Sequence, residues 1–288
     1  MSGRSELIVT TPEPAKSPGR AGRNLPAAIG VGVGLGGAVI ATLVLSRAAF
    51  VALVSLAVLI AVWELTSAIA TKDNVRAPLV PLAIGSVAML VAAYQGGTES
   101  LMVGLVLTTL AVVGWRLVDG PDGFAADVTA GLFTAVYVPF LAGFTILMNA
   151  PHDGAQRVAT FVIVVVCNDV GGYAAGVLFG KHPMAPKISP KKSWEGMAGS
   201  LTACALGGAV CVTTMIDASW WQGALLGLAL SVAATLGDLG ESVLKRDLGV
   251  KDMGTLLPGH GGIMDRLDSL LIAAPIGWLL LAAISNPR

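Results

Sequence analysis

Charge is scarce in this sequence. Only 12% of its 288 residues are charged, 55% are hydrophobic, and the mean hydropathy is +0.77. A chain so poor in charge cannot be a soluble globular domain of ordinary composition; it reads as a polytopic membrane protein. Net charge is lacking too: 18 basic residues balance 18 acidic ones, so no overall field draws the chain to nucleic acid. Cysteine is nearly absent. Cys167, Cys204 and Cys211 lie in apolar runs, three thiols give no paired disulfide framework, and no C-x-x-C spacing offers a zinc site. They read as small packing residues. A Walker A pattern is missing as well, which excludes a P-loop nucleotide site.

What the chain has in abundance is apolar runs. A bilayer core about 30 Å thick takes roughly 20 apolar residues per helix. Nine runs meet that length, near residues 26–46, 48–70, 77–95, 99–118, 124–149, 157–180, 196–216, 219–244 and 265–285. The expected fold class is all-α, a polytopic integral membrane protein of about nine transmembrane helices. Residues 1–25, with Pro12, Pro14, Pro18 and four basic residues, read as a disordered cytoplasmic tail ahead of a retained anchor. With that tail in the cytoplasm, 15 of the 18 basic residues fall on the cytoplasmic side, leaving Arg47, Arg157 and Arg288 outside. The expected location is therefore the plasma membrane, with the N-terminus inside.

The first half, residues 26–150, reads as scaffold. Gly32, Gly34 and Gly37 formally match a dinucleotide fingerprint, but no strand precedes them; small residues admitting a close helix neighbour explain them better. Glu64 is a lone acid in an apolar run and reads as an interhelical hydrogen-bond partner or a near-surface group. Asp119, Asp122 and Asp127 read as solvated loop charge.

The second half, residues 151–288, carries the chemistry. Asp169 lies deep in an apolar run, where a carboxylate costs about 2.5 kcal/mol or more unless paired, solvated or metal-bound. Either an interhelical hydrogen bond or a ligand site would account for it. Lys191, Lys192 and Ser193 stand just before a helix start, where free amides and the helix dipole favour an anion. The charge then concentrates in Ser242–Asp268, which holds Lys245, Arg246, Asp247, Lys251, Asp252, His260, Asp265, Arg266 and Asp268 within 27 residues. Asp238 and Glu241 share one helical face before it, and Asp265 and Asp268 share another after it. Two helix ends that meet there would form an oxygen-rich cluster suited to Mg²⁺. Acids and bases within reach of one another are what metal-assisted phosphoryl or nucleotidyl transfer needs. Gly259, Gly261 and Gly262 would let backbone amides approach a phosphate.

The pattern Ser242, Lys245, Arg246, Lys251, Asp252, Pro258, His260, Gly261, Gly262, Asp265, Arg266, Asp268 resembles the signature of the phosphatidate cytidylyltransferase (CDP-diacylglycerol synthase) family. Ser189–Gly196 and Asp169 look like further family features, so the resemblance covers about residues 157–285. It implies a Mg²⁺-dependent membrane enzyme, with room for a second cation, that joins CTP and phosphatidate into CDP-diacylglycerol and pyrophosphate. The implied metal ligands are Asp238 and Asp265, with Asp268 and Asp169 as further candidates. Lys245 and Arg266 join Asp238 and Asp265 as catalytic candidates. Lys191, Lys192, Ser193, Arg246, Lys251, His260, Gly261 and Gly262 would bind substrate. Expected partners are CTP, phosphatidate and membrane lipids, and the small residues Gly196, Gly199 and Ser200 are compatible with a homodimer. A CTP-dependent polyprenol or phytol kinase is the alternative reaction. A secondary transporter is a more distant one, since no matching acids occur in residues 26–150.

Overall fold

The structure is a computed structural model that describes residues 25–72, 75–257 and 261–285. The expected tail lies, but for Leu25, outside the described residues, and so do Pro258, Gly259 and His260. The order of elements is α1 (Leu25–Leu45), α2 (Arg47–Ala70), α3 (Leu79–Leu117), α4 (Phe124–Ala135), α5 (Leu141–Met148), α6 (Gly154–Phe179), β1 (Pro183–Ala185), β2 (Ser189–Ser193), α7 (Trp194–Cys211), α8 (Trp220–Leu248) and α9 (Met264–Ser285). Among the described residues, seven helical rods are long and apolar enough to cross a membrane, and Gly30–Leu45 is a shorter apolar helix. Apolar side chains lie on both sides of the rods: Leu65, Met89 and Leu230 are buried between helices, while Val44, Val106 and Leu236 face outward.

Helix α3 spans 39 residues, roughly 58 Å of straight helix and about twice a bilayer core. It is not straight. Gly97 has φ 69° and ψ −153°, a backbone state essentially restricted to glycine. A side chain added at Gly85 would run into Thr108, and one at Gly104 into Met89. Those pairs are symmetric about Gly97, so the two arms lie antiparallel as a hairpin. The runs expected at 77–95 and 99–118 are these arms. Elsewhere, α4 and α5 form one rod through a π-helical turn at Val136–Phe140, where Pro139 interrupts the α-helical ladder. Ser46 separates α1 from α2 by accepting the Ala49 N–H, and Asp217, at φ 56°, turns the chain between α7 and α8.

The connections sort into two ends. At one, Lys72 pairs with Asp247 at 2.7 Å, the Arg76 N–H donates to Asp127 Oδ1 at 2.6 Å, and Arg246 Nε donates to the Ile188 carbonyl at 3.4 Å. These contacts gather the α2–α3, α3–α4, α6–α7 and α8–α9 connections. At the other end, Arg47 Nη2 donates to the Pro151 carbonyl at 2.7 Å.

Several expectations need correction. Asp119 and Asp127 are not simply solvated: the buried Arg116 pairs with both, and Asp127 is itself buried. A cation at the end of α3 thereby stitches itself to the start of α4. The α1 glycines have no close neighbour among the described residues; a Cβ at Gly32, Gly34 or Gly37 would meet nothing within 4 Å. Residues 183–193 are a two-stranded antiparallel hairpin rather than a plain loop. Gly196 and Gly199 lie against the backbone of α6, and Ser200 is buried there, donating to the Asn168 carbonyl at 2.6 Å. The small residues read as compatible with a homodimer thus pack inside the chain.

Candidate active site

Helices α6 and α7 touch along their glycines. A Cβ on Gly171 would overlap the Gly199 carbonyl, and one on Gly196 would sit 3.0 Å from the Gly172 carbonyl. Glycine at these positions brings the two backbones together, so that the polar side chains of α6 and the start of α7 share a space with the ends of α8 and α9. That space is a cavity of about 420 Å³. Its wall includes Asp169 from α6, Lys191, Lys192 and Ser193 from the hairpin, Asp238 and Lys245 from α8, and Asp265, Arg266 and Asp268 from α9. Residues separated by up to 99 positions in sequence, from Asp169 to Asp268, therefore meet in one place.

The hairpin is held over the cavity by α7. Glu195 Oε2 accepts the backbone N–H groups of Lys181 and His182, both at 3.2 Å, and its other oxygen pairs with the His182 ring. Ser193 is the N-cap of α7, accepting the Gly196 N–H at 3.1 Å. Lys192 reaches across and pairs with Asp238 on α8. The backbones of α8 and α9 are close where a Cβ on Gly237 would stand 3.1 Å from the Ser269 Cα, which sets Asp238 beside Asp268. Asn168 donates to Asp169 at 3.4 Å and accepts from Ser231 at 2.7 Å, fixing the acid's neighbour within the helix cluster.

Asp265 has a different environment from the other acids. Lys245 Nζ donates to its Oδ1 at 2.9 Å, the Met253 N–H to its Oδ2 at 3.0 Å, and the Gly262 N–H to the same oxygen at 2.7 Å. Both carboxylate oxygens thus have protein donors, and the group closes the ends of the glycine-rich loop onto α9. Lys245 also donates to Glu241 Oε2 at 2.6 Å, so one ammonium lies between two buried carboxylates. Among the described residues, no group of three or more His, Cys, Asp or Glu is placed to hold a metal ion alone.

Other expected residues lie beside the cavity rather than in its wall. Arg246 and Lys251 are exposed at the same end of the bundle. Gly261 has φ 80° and no room for a Cβ against Asp265, and Gly262 is buried. His260 is outside the described residues. The structure also brings to this region two acids outside the expected site residues: Glu241, read from the sequence as sharing a face with Asp238, and Glu64, read as an interhelical hydrogen-bond partner or a near-surface group. Glu241 is fully buried, with Oε1 lacking a partner among the described residues. Glu64, on α2, accepts the Met264 N–H at 2.8 Å. For Glu64 the available signal was a single acid in an apolar span; for Glu241 it was the three-residue spacing from Asp238.

The cytidylyltransferase family profile matches residues 26–284. The chain is 43% identical over 285 residues to a phosphatidate cytidylyltransferase of Mycobacterium leprae, covering 93% of this chain and 91% of that protein. It is 41% identical over 285 residues to one of Mycobacterium bovis, covering 94% and 93%. A protein of the same name from Brucella suis is 36% identical over 159 residues, which are 55% of this chain and 58% of its own.

Proposed function

Because the chain belongs to the cytidylyltransferase family, we propose that it transfers the cytidylyl group of CTP to phosphatidate, giving CDP-diacylglycerol and pyrophosphate. The observation that carries this reading is the cavity, where cations and carboxylates from α6, the hairpin, α8 and α9 converge at one end of an apolar bundle. A phosphate oxygen of phosphatidate forms a bond to the α-phosphorus of CTP. The bond from that phosphorus to the bridging oxygen breaks, and its electron pair leaves with pyrophosphate. The nucleophile is already an anion, so the protein's task is to position it and to neutralise charge as it develops.

Lys191, Lys192 and the start of α7 behind Ser193 hold the triphosphate, using ammonium charge and the helix dipole together. Arg266, exposed on the cavity wall, holds the phosphate of phosphatidate. Arg246, Lys251 and Gly261 belong to the substrate-binding rim, Gly262 serves it by donating its N–H to Asp265, and His260, outside the described residues, is assigned to substrate binding from its place in the sequence pattern. Asp265 and Lys245 act as an ion pair that sets the geometry of the loop and of α9. A Mg²⁺ ion fits this donor set through Asp238 and Asp268, with Asp169 near them, because Mg²⁺ typically uses only one or two carboxylates and completes its shell with water and substrate phosphate. When bound, it would neutralise charge on the phosphate oxygens of CTP. Whether a second cation joins it depends on how many of the three acids it engages.

The reading places nine spans in the membrane, counting α1 and both arms of α3, with the N-terminus and the cavity on the cytoplasmic side. The excess of Lys and Arg at the cavity end supports this orientation. CTP labelled on its α- or γ-phosphorus tests the reaction. Cytidylyl transfer puts the α label into lipid and the γ label into pyrophosphate. A γ label in lipid, with CDP as the other product, would instead identify a lipid kinase.

A further inference from the structure

We infer that Glu64, in the half of the chain read as scaffold, is a positioning residue for the reaction: its buried carboxylate sets the start of α9 and the glycine-rich loop before it. The inference rests on the cytidylyl-transfer reading for its kinetic part only.

Glu64 is 1% exposed, on a helix nearly 200 residues upstream of its partners. Its Oε2 accepts the Met264 N–H, and the Ile263 N–H is also directed at the carboxylate. These are amides at the first turn of α9, the groups that a helix N-terminus leaves without internal partners. The contact is as close as backbone permits. A Cβ on Gly262 would come within 2.6 Å of the Glu64 carboxyl carbon, and Gly254 is equally blocked by it. Glycine at these two positions makes room for this one side chain.

The arrangement is a pair of clamps on one loop. From within α9, Asp265 takes the Met253 and Gly262 N–H groups; from across the bundle, Glu64 takes that of Met264, with the Ile263 N–H facing the same carboxylate. Met253, Ile263 and Met264 are buried between the two. The turn so fixed carries Asp265, Arg266 and, one turn on, Asp268, all on the cavity wall. A shift of its start by an ångström moves all three relative to CTP, and misplacement on that scale costs about 10²-fold in rate. Glu64 Oε1 has no partner among the described residues, so the side chain's contribution lies in the Oε2 contacts and in its reach, both of which substitution can separate.

Glu64→Gln keeps a carbonyl acceptor at the same reach, Glu64→Asp keeps the charge but shortens the reach, and Glu64→Leu removes the acceptor. The expected result is that Gln retains turnover within about threefold, while Asp and Leu lower kcat by about 10²-fold with KM for CTP changed far less. Hydrogen exchange on the same purified proteins, without substrate, should show faster exchange confined to the peptides spanning 250–268 in the Asp and Leu variants. Unchanged exchange there, or unchanged kcat in both, overturns the inference. Equal loss of protection across all helices in Asp as well as Leu also overturns it, since Glu64 would then be needed for the fold at large. Should wild type lack cytidylyl transfer while local exchange responds as expected, the reaction fails and the tether stands.

Discussion

Lys245 is the residue whose surroundings decide most. It lies 2.6 Å from Glu241 and 2.9 Å from Asp265, and neither acid is more than 5% exposed. Removing one member of a buried ion pair leaves uncompensated charge and destabilises by about 3–5 kcal/mol. Lys245→Met should therefore lower the thermal unfolding temperature in detergent markedly, and adding Glu241→Gln should recover part of the loss because one of the stranded charges is gone. A single variant as stable as wild type would show that the network is not buried in the working protein. Lys192 makes a contrasting case, since it pairs with Asp238 where both side chains are partly exposed. Lys192→Ala should cost little stability and should raise KM for CTP, read by initial rates at saturating phosphatidate. At this scale the sequence made most of the site legible, because Asp169, Lys192, Asp238, Asp265, Arg266 and Asp268 are conspicuous as charges in an apolar chain. It could not reveal that Asp265 spends its oxygens on Lys245 and two backbone amides, or that Glu64 meets Met264, because both depend on which helix ends adjoin.

Gly97 joins the two arms of α3 in a conformation that costs other residues about 1–3 kcal/mol. Gly97→Ala should lower thermal stability by that amount and leave the kcat of the folded protein unchanged; an unaltered unfolding temperature would mean that the arms do not need this turn. The β1–β2 hairpin depends on Glu195, which accepts two backbone N–H groups at its base. Glu195→Ala should loosen the hairpin and raise KM for CTP more than it lowers kcat, since Lys191 and Lys192 ride on the hairpin while α8 and α9 are untouched. Helices were legible here because length and hydropathy alone define them, and the break near Gly97 was visible as a gap between two apolar runs. The hairpin was not, because strands of three and five residues leave too short a pattern to read. Nor could the α1 glycines be told from those of α6 and α7 by composition; only the latter face a backbone.

For the whole molecule, charge distribution and packing agree on two distinct ends. Lys72, Arg76, Arg116 and Arg246 make their contacts at the cavity end, and Arg47 at the other. In a version with its three native cysteines replaced, Lys187→Cys should resist an impermeant thiol reagent added to intact cells and react after lysis, whereas His152→Cys should react in both. The reverse pattern would invert the orientation. Cytidylyl transfer in the cavity is measured by pyrophosphate release together with CDP-lipid formation by purified protein given CTP, phosphatidate and Mg²⁺. Wild type and Arg47→Gln should make both products in equal amounts, while Asp238→Asn, folded as judged by its unfolding temperature, should lose at least about 10²-fold of the rate. Both products formed at the wild-type rate by Asp238→Asn would remove the cavity's acids from the reaction, and no CDP-lipid from wild type would rule out cytidylyl transfer to phosphatidate.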